Sequence, residues 1–304
     1  MTFDEALNLL SQDELAAIAL PAFFSAILIE AVLSRRQNLN LYQFRDFLVS
    51  MSQLVISALV DLIPKVLAVI GFFYLHEISP LRDVVQRQWW AWLLLFFLDD
   101  FVYYWFHRAN HEVRFFWAGH VSHHSSVKMN FGTALRQGVG ERVHKYLFWM
   151  PLPLLGFDPL MIVIMISLNL IYQFWVHTEL VTRMPAWTEQ VFNTPSHHRV
   201  HHGSNVRYLD CNHGGVLIIW DRLFGTFSEE SNDEPVVYGL TKNIDTANPI
   251  TVAFGGYRNL LSDVVRAENL VDKLKYVLLA PGWSHDAPDR RAKVMRQATI
   301  VEMD

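Results

Sequence analysis

Within Thr194-Pro195-Ser196-His197-His198-Arg199-Val200-His201-His202-Gly203, four imidazoles fall within six residues, a density with few uses other than holding metal. His198, His201 and His202 stand at i, i+3 and i+4, so on a helix they share a face and are expected to converge on one centre. Upstream, His107 and His111 form an i, i+4 pair, and His120, His123 and His124 repeat the i, i+3, i+4 spacing. A single histidine on an apolar face is ordinarily a hydrogen-bonded core residue, whereas three clusters at ligand spacing point to coordination. With His177, the histidines in or beside the clusters are His107, His111, His120, His123, His124, His177, His197, His198, His201 and His202, too many for one tetrahedral ion and suited to two. Nearly all-imidazole ligation disfavours Mg and Ca, which take oxygen ligands, and leaves Fe, Zn, Cu or Mn open. His197 lies about 100° around a helix from His198, which leaves it either a ligand or a hydrogen-bonding neighbour of one. His76, His144, His213 and His285 stand alone and read as surface or interfacial residues.

The segments that must position these rings are apolar. The chain of 304 residues is 52% hydrophobic with a net charge of −5, so lipid is the expected environment, and no basic field argues for nucleic acid as a partner. Cys211 is the only cysteine, which rules out an internal disulfide. Residues 1–14 carry Asp4, Glu5, Asp13 and Glu14 and no Lys or Arg, unlike the basic start of a cleaved signal peptide. Residues 16–33 form an apolar run long enough to cross most of a hydrocarbon layer about 30 Å thick. A second run, 47–75, is interrupted by Asp61, Pro64 and Lys65 and reads as one kinked span. Trp89 to Phe106 is a third, opened by Trp89, Trp90 and Trp92 as an interfacial belt.

Pro151, Pro153, Gly156, Asp158 and Pro159 divide residues 145–176 into two arms, each short for a full crossing. If the histidines before and after that stretch share a site, the chain must return to the side it left, so 145–176 is expected to be a hairpin dipping into the bilayer. Arg35, Arg36 and Arg45 in one loop, and Arg108, Arg114, Lys128, Arg136, Arg142 and Lys145 around the histidines, put that side in the cytoplasm by the positive-inside rule. The expected fold is therefore an all-α integral membrane protein, one domain over residues 1–304. It has about three spans within 16–106, a re-entrant helical hairpin at 145–176, a cytoplasmic di-metal cap from 107–144 and 177–228, and a C-terminal cytoplasmic segment at 229–304. In that last segment, 259–280 reads as one amphipathic helix whose apolar residues recur at helical spacing.

Asp100 lies on nearly one helical face with His107 and His111, where a carboxylate could orient a ligand, line a substrate tunnel or simply bond to a neighbouring span. Asn130 and Glu141 are further candidates for a catalytic or supporting role, with Glu112 and Arg136 beside them.

Set among hydrophobic spans, His107-x3-His111, His120-x2-His123-His124 and His198-x2-His201-His202 resemble the eight-histidine signature of the fatty acid hydroxylase and sterol desaturase superfamily. The stretches Trp117–Ser126, Thr133–Gln137, Asn193–Gly203 and Gly215–Asp221 are similar to its alkylglycerol monooxygenase branch. The resemblance implies a membrane-bound monooxygenase in which two Fe ions activate O2 and oxygen is inserted at a C–H bond of a lipid, the carbon beside an ether oxygen in that branch. It also implies tetrahydrobiopterin or another external electron donor, and His177 as an additional ligand. Desaturation or hydroxylation of a sterol or fatty acid is the alternative within the superfamily. Outside it stand a membrane metal transporter, which would place ligands near the bilayer midplane, and a zinc hydrolase, which would want a carboxylate base such as Glu112 or Glu179 close to the ligands.

Overall fold

The computed structural model describes residues 2, 4, 5 and 14–303, so the acidic stretch ending at Asp13 lies largely outside the described residues. Among these residues there are helices but no strands, only two isolated bridges, Phe192 with Leu217 and Gly203 with Tyr238. The principal helices are α1 (Glu14–Arg36), α2 (Phe44–Val60), α3 (Leu62–Glu77), α4 (Trp89–Glu112), α5 (Arg114–His124), α6 (Arg142–Trp149), α7 (Pro159–Trp175), α8 (Ala186–Val191), α9 (Pro195–His201), α10 (Ile219–Phe224), α11 (Pro249–Arg266), α12 (Leu270–Leu278) and α13 (Ala292–Met303).

Among the described residues, one helix is long and apolar enough to cross a membrane by itself, Ile18–Arg36. The kink expected near Asp61 is present: α2 and α3 meet there at a 49° bend, and together they would make one broken span. The expected third span is one continuous helix, α4, which runs past Phe106 to Glu112. It falls short of the apolar measure that α1 meets, because Asp99, Asp100 and its tyrosines dilute the run. Side chains such as Leu28, Ile29, Leu59, Ile63, Trp89 and Leu93 face outward, more apolar surface than scattered exposure accounts for.

Residues 145–176 do fold back on themselves. α6, a single turn at Pro151–Leu154 and α7 are joined through Gly156, whose φ of +91° and approach to the Leu81 carbonyl leave no room for a Cβ. Pro159 opens α7 at a position where its missing N–H costs nothing, and Asp158 caps that helix by accepting from Leu160 N at 2.8 Å. The hairpin packs on α3 and α4 through Phe72, Leu95, Phe106, Trp149, Met161 and Ile162, all buried. Asp99 is buried in that core but satisfied, accepting from Trp149 Nε1 at 2.7 Å and Asn169 Nδ2 at 2.9 Å. Phe23 of α1 stacks on Phe174 of α7 with centroids 3.9 Å apart, which ties the first helix to the hairpin.

The stretch 259–280 is not one helix. α11 stops at Arg266 and α12 restarts after Asn269, whose side chain accepts from Asp272 N at 2.9 Å as an N-cap. The pair covers α5 through Leu260, Ala267 and Tyr276 packed on Ala118.

Candidate metal centre

α4, α5, the residues just after α7, and α9 bring their imidazoles together in two adjoining buried groups. One comprises His107, His111, His120, His124 and His201; the other comprises His123, His177, His198 and His202. Within each, one nitrogen per ring lies within 4.8 Å of every other. The groups touch, His124 stacking on His202 with centroids 4.4 Å apart.

The expectation that each i, i+3, i+4 triplet serves one centre is not what the helices do. On α5, His120 and His124 enter the five-membered group while His123 enters the other; on α9, His198 and His202 enter the four-membered group while His201 crosses to the first. The i and i+4 side chains are only about 40° apart around a helix and i+3 lies on the other side of i, so a helix wedged between two centres deals its rings to both.

The far nitrogen of most rings is held by the fold. Nδ1 of His107 donates to the His213 carbonyl (2.9 Å), that of His123 to Arg136 O (2.9 Å), that of His177 to Gln173 O (2.8 Å) and that of His201 to Cys211 O (2.9 Å). His120 Nδ1 donates to Glu141 Oε1 at 3.1 Å. These bonds fix the tautomer and leave Nε2 as a bare lone pair. His107 Nε2 then faces His120 Nε2 at 3.2 Å, and His123 Nε2 faces His177 Nε2 at 3.4 Å. Two lone pairs at that distance repel and form no hydrogen bond. Nitrogens about 2.1 Å from a shared ion would sit about 3.0 to 3.4 Å apart, the edge of an octahedron or tetrahedron. Nε2 of His111, His201 and His202 is buried with no partner. The donor set fits two transition ions and little else.

Glu141 is the carboxylate behind this arrangement. Burial alone would push it up, but the His120 ring, together with His144 and Lys145, outweighs that and holds it well below the usual carboxylate range. The same oxygen accepts from Asn110 Nδ2 at 2.5 Å, and Asn110 Oδ1 meets His144 Nε2 at 2.8 Å.

Other expected residues lie elsewhere. His197 is in neither group: its Nε2 is 3.0 Å from Glu189, and Thr194 is near its Nδ1. Burial raises Glu189, but bonds from His197, Met184 N and Ser196 bring it down to about 2. Asp100 touches no ligand ring; it accepts from Val216 N (2.7 Å), Leu217 N (3.0 Å) and Trp220 Nε1 (2.9 Å), pinning the chain just after His213. Asn130 caps the turn Phe131–Ala134 and donates to Leu41 O. Glu112 pairs with Arg108, and Arg136 pairs with Asp46, contributing only its carbonyl to the centre. His144 and His213, read as surface residues, are buried. The His213 ring lies 5.0 Å from His111 and 5.7 Å from His107 and from His201, both its nitrogens lack a partner, and burial lowers it to about 3.

Two cavities reach the rings. The first, about 320 Å³, is walled mostly by apolar side chains such as Phe23, Leu54, Phe106, Leu135 and Phe174, with Lys65, Glu141, Arg142 and Lys145 also on its lining, and ends on His120, His123 and His177. The second, about 810 Å³, ends on His111, His124 and His201.

Nine buried imidazoles thus form two adjoining groups held between helices. The fatty acid hydroxylase family model matches residues 92–226, so that stretch of the chain is a fatty acid hydroxylase domain. The chain is 40% identical over 271 residues to alkylglycerol monooxygenase of Danio rerio and likewise to that of Homo sapiens, covering 89% of this chain and 60% of each relative. It is 29% identical over 159 residues to ornithine lipid hydroxylase OlsE of Rhizobium tropici, covering 48% of this chain and 44% of that protein. The chain thus spans about 60% of the length of the alkylglycerol monooxygenases. No solved structure matches it.

Proposed function

We propose that the protein is a membrane-bound, O2-dependent monooxygenase that hydroxylates a C–H bond of a lipid chain, the carbon beside an ether oxygen being the favoured position. The observation that carries this is the pairing of bare imidazole lone pairs with an apolar cavity that ends on rings of both groups. The alkylglycerol monooxygenase relatives support the ether position, and lipid hydroxylases among the more distant ones support the reaction class.

His107, His111, His120, His124 and His201 would hold one iron, and His123, His177, His198 and His202 the other. When bound, the two ions supply the redox chemistry that splits O2 and delivers one oxygen atom to carbon. The protein's own part is positioning. Phe23, Leu54, Phe106, Leu135 and Phe174 take an alkyl chain and exclude water from it. Glu141 fixes the His120 ring, and the carbonyls of Gln173, Arg136, His213 and Cys211 fix four others. The five-ring group meets the lipid cavity at His120, and the four-ring group meets it at His123 and His177, so an alkyl chain in the cavity would lie against both groups.

The layout that goes with this reading is multi-pass, with α1, the bent pair α2–α3 and α4 as spans, 145–176 as a re-entrant hairpin, and the histidine cap from 107–144 and 177–228 on the cytoplasmic side. The basic residues flanking the cap and the outward apolar side chains support it. The electron donor is external, a tetrahydropterin or a functional equivalent. The test is turnover of an alkylglycerol by purified protein under ¹⁸O2, with metal analysis. Label in the product and about two irons per chain are expected; full turnover under argon, or less than one metal per chain, would refute the reading.

A further inference from the structure

We propose that the second cavity is where the external electron donor named above, a tetrahydropterin or an equivalent planar two-electron reductant, binds. This rests on the monooxygenase reading above. Hydroxylation balances as C–H + O2 + 2 electrons + 2 protons giving C–OH + H2O, so a reductant must deliver two electrons and two protons and leave two-electron oxidised. The lipid occupies the apolar cavity, which touches the five-histidine group only at His120. The second cavity opens on His111, His124 and His201 of the same group.

Its size, about 810 Å³, suits an organic cofactor. Its walls combine flat rings with fixed polar groups. Trp117 lies 5.1 Å from the His111 ring and 5.5 Å from His124, so a molecule stacked there is one ring away from the centre. Tyr276 and Trp283 stand edge to face, 4.9 Å apart, and also line the cavity. Arg114, held by Asp263, supplies positive charge, and Asp210, whose Oδ1 lies 3.5 Å from His111 Nδ1, supplies a hydrogen-bonding carboxyl group. Much of the outer wall, including Gly239, Arg258, Tyr276, Trp283 and Arg290, lies beyond residue 226, outside the matched hydroxylase domain. A metal centre alone does not require that wall; a dedicated ligand does. A protein donor would need a flat, exposed docking face and would leave a cavity of this depth unused.

Gly255 offers a clean probe, because it lines the cavity and a Cβ there meets nothing within 4 Å. Gly255→Phe should fill the cavity without disturbing α11, and Trp283→Leu should remove a stacking face if the first variant folds poorly. With 6-methyltetrahydropterin as donor, each should raise the donor KM at least tenfold with the lipid KM unchanged. Calorimetric titration of the pterin into metal-depleted protein should show the same loss of affinity. Protein reduced by dithionite and mixed with lipid and O2 should give the same single-turnover product in wild type and variants. An unchanged donor KM, equal rises in both KM values, or turnover supported only by a reduced protein would overturn the proposal. If reduced wild type makes no product, the monooxygenase reading falls, and the calorimetry alone decides the cavity: undiminished pterin affinity in both variants refutes it.

Discussion

Glu141→Gln isolates what one carboxylate does for the centre. His120 is the hub of the five-membered group: its Nε2 lies 3.2 Å from that of His107 and 3.1 Å from that of His124, while its Nδ1 has Glu141 as partner at 3.1 Å. Glutamine keeps the shape and the single oxygen that His120 and Asn110 already share, but removes the negative charge that polarises the His120 ring. Loss of such a partner behind a ligating imidazole typically weakens metal binding about 10- to 100-fold, or about 1.4 to 2.7 kcal/mol. The four-membered group has no contact with Glu141 among its own rings' hydrogen bonds; His123 and His177 lean on carbonyls. Dialysis against graded chelator, with metal counted per chain, should therefore show two release steps in wild type, and in the variant only one of them moved to weaker chelation by that factor. Superimposable release curves, or equal shifts of both steps, would refute the assignment of His120 and Glu141 to one of two distinct positions.

His177→Ala should halve the metal content and abolish turnover, since it removes one of only four rings from the second group; elemental analysis decides. His197→Gln should keep the full metal content yet lower the melting temperature by loosening Glu189, whereas His198→Gln loses metal. Gly156→Ala should destabilise the hairpin by at least about 1 to 3 kcal/mol, because φ there is +91° and the new Cβ would meet the Leu81 carbonyl; thermal unfolding measures it. Stripping metal should speed amide exchange in Arg114–His124 and Pro195–His201 together, since His123 and His124 then face His202 and His201 with no ion between the rings. Exchange that quickens in only one of them would count against shared coordination.

Spacing made the converging rings legible. The i, i+3, i+4 pattern on α5 and α9 pointed to the rings that meet, and Pro151 to Pro159 marked where the chain turns back. The division of each triplet between two groups was not legible, because it depends on how α5 and α9 dock, and periodicity is blind to the neighbour a face meets. His197 illustrates the same limit. Four histidines in six residues look like four ligands, but one points to the far side of α9, where Glu189 waits. His213 and His144 carried no signal, since an isolated histidine has no spacing to read and both are buried by segments distant in sequence. Glu141 was a weak candidate among several, and only the 3.1 Å approach to His120 separates it from Glu112 and Asn130. The break between α11 and α12 could have been found: Asn269 followed three residues later by Asp272 is a helix start.

The crossing of ligands between helices bears on why the scaffold tolerates so costly a core. Nine imidazoles packed away from water bring their ring nitrogens together with few hydrogen-bond donors to meet them, so neither group is favourable by itself in the bare protein. Because α5 gives two rings to one group and one to the other, and α9 does the reverse, an ion bound at either group would tie the two helices together. The surrounding carbonyls of Arg136, Gln173, Cys211 and His213 come from loops and helix ends. Asp100 holds one of those segments by gripping Val216 and Leu217 from α4. A buried carboxylate in the helix that carries His107 and His111 thus serves the centre at one remove, by fixing the backbone whose carbonyl orients His107.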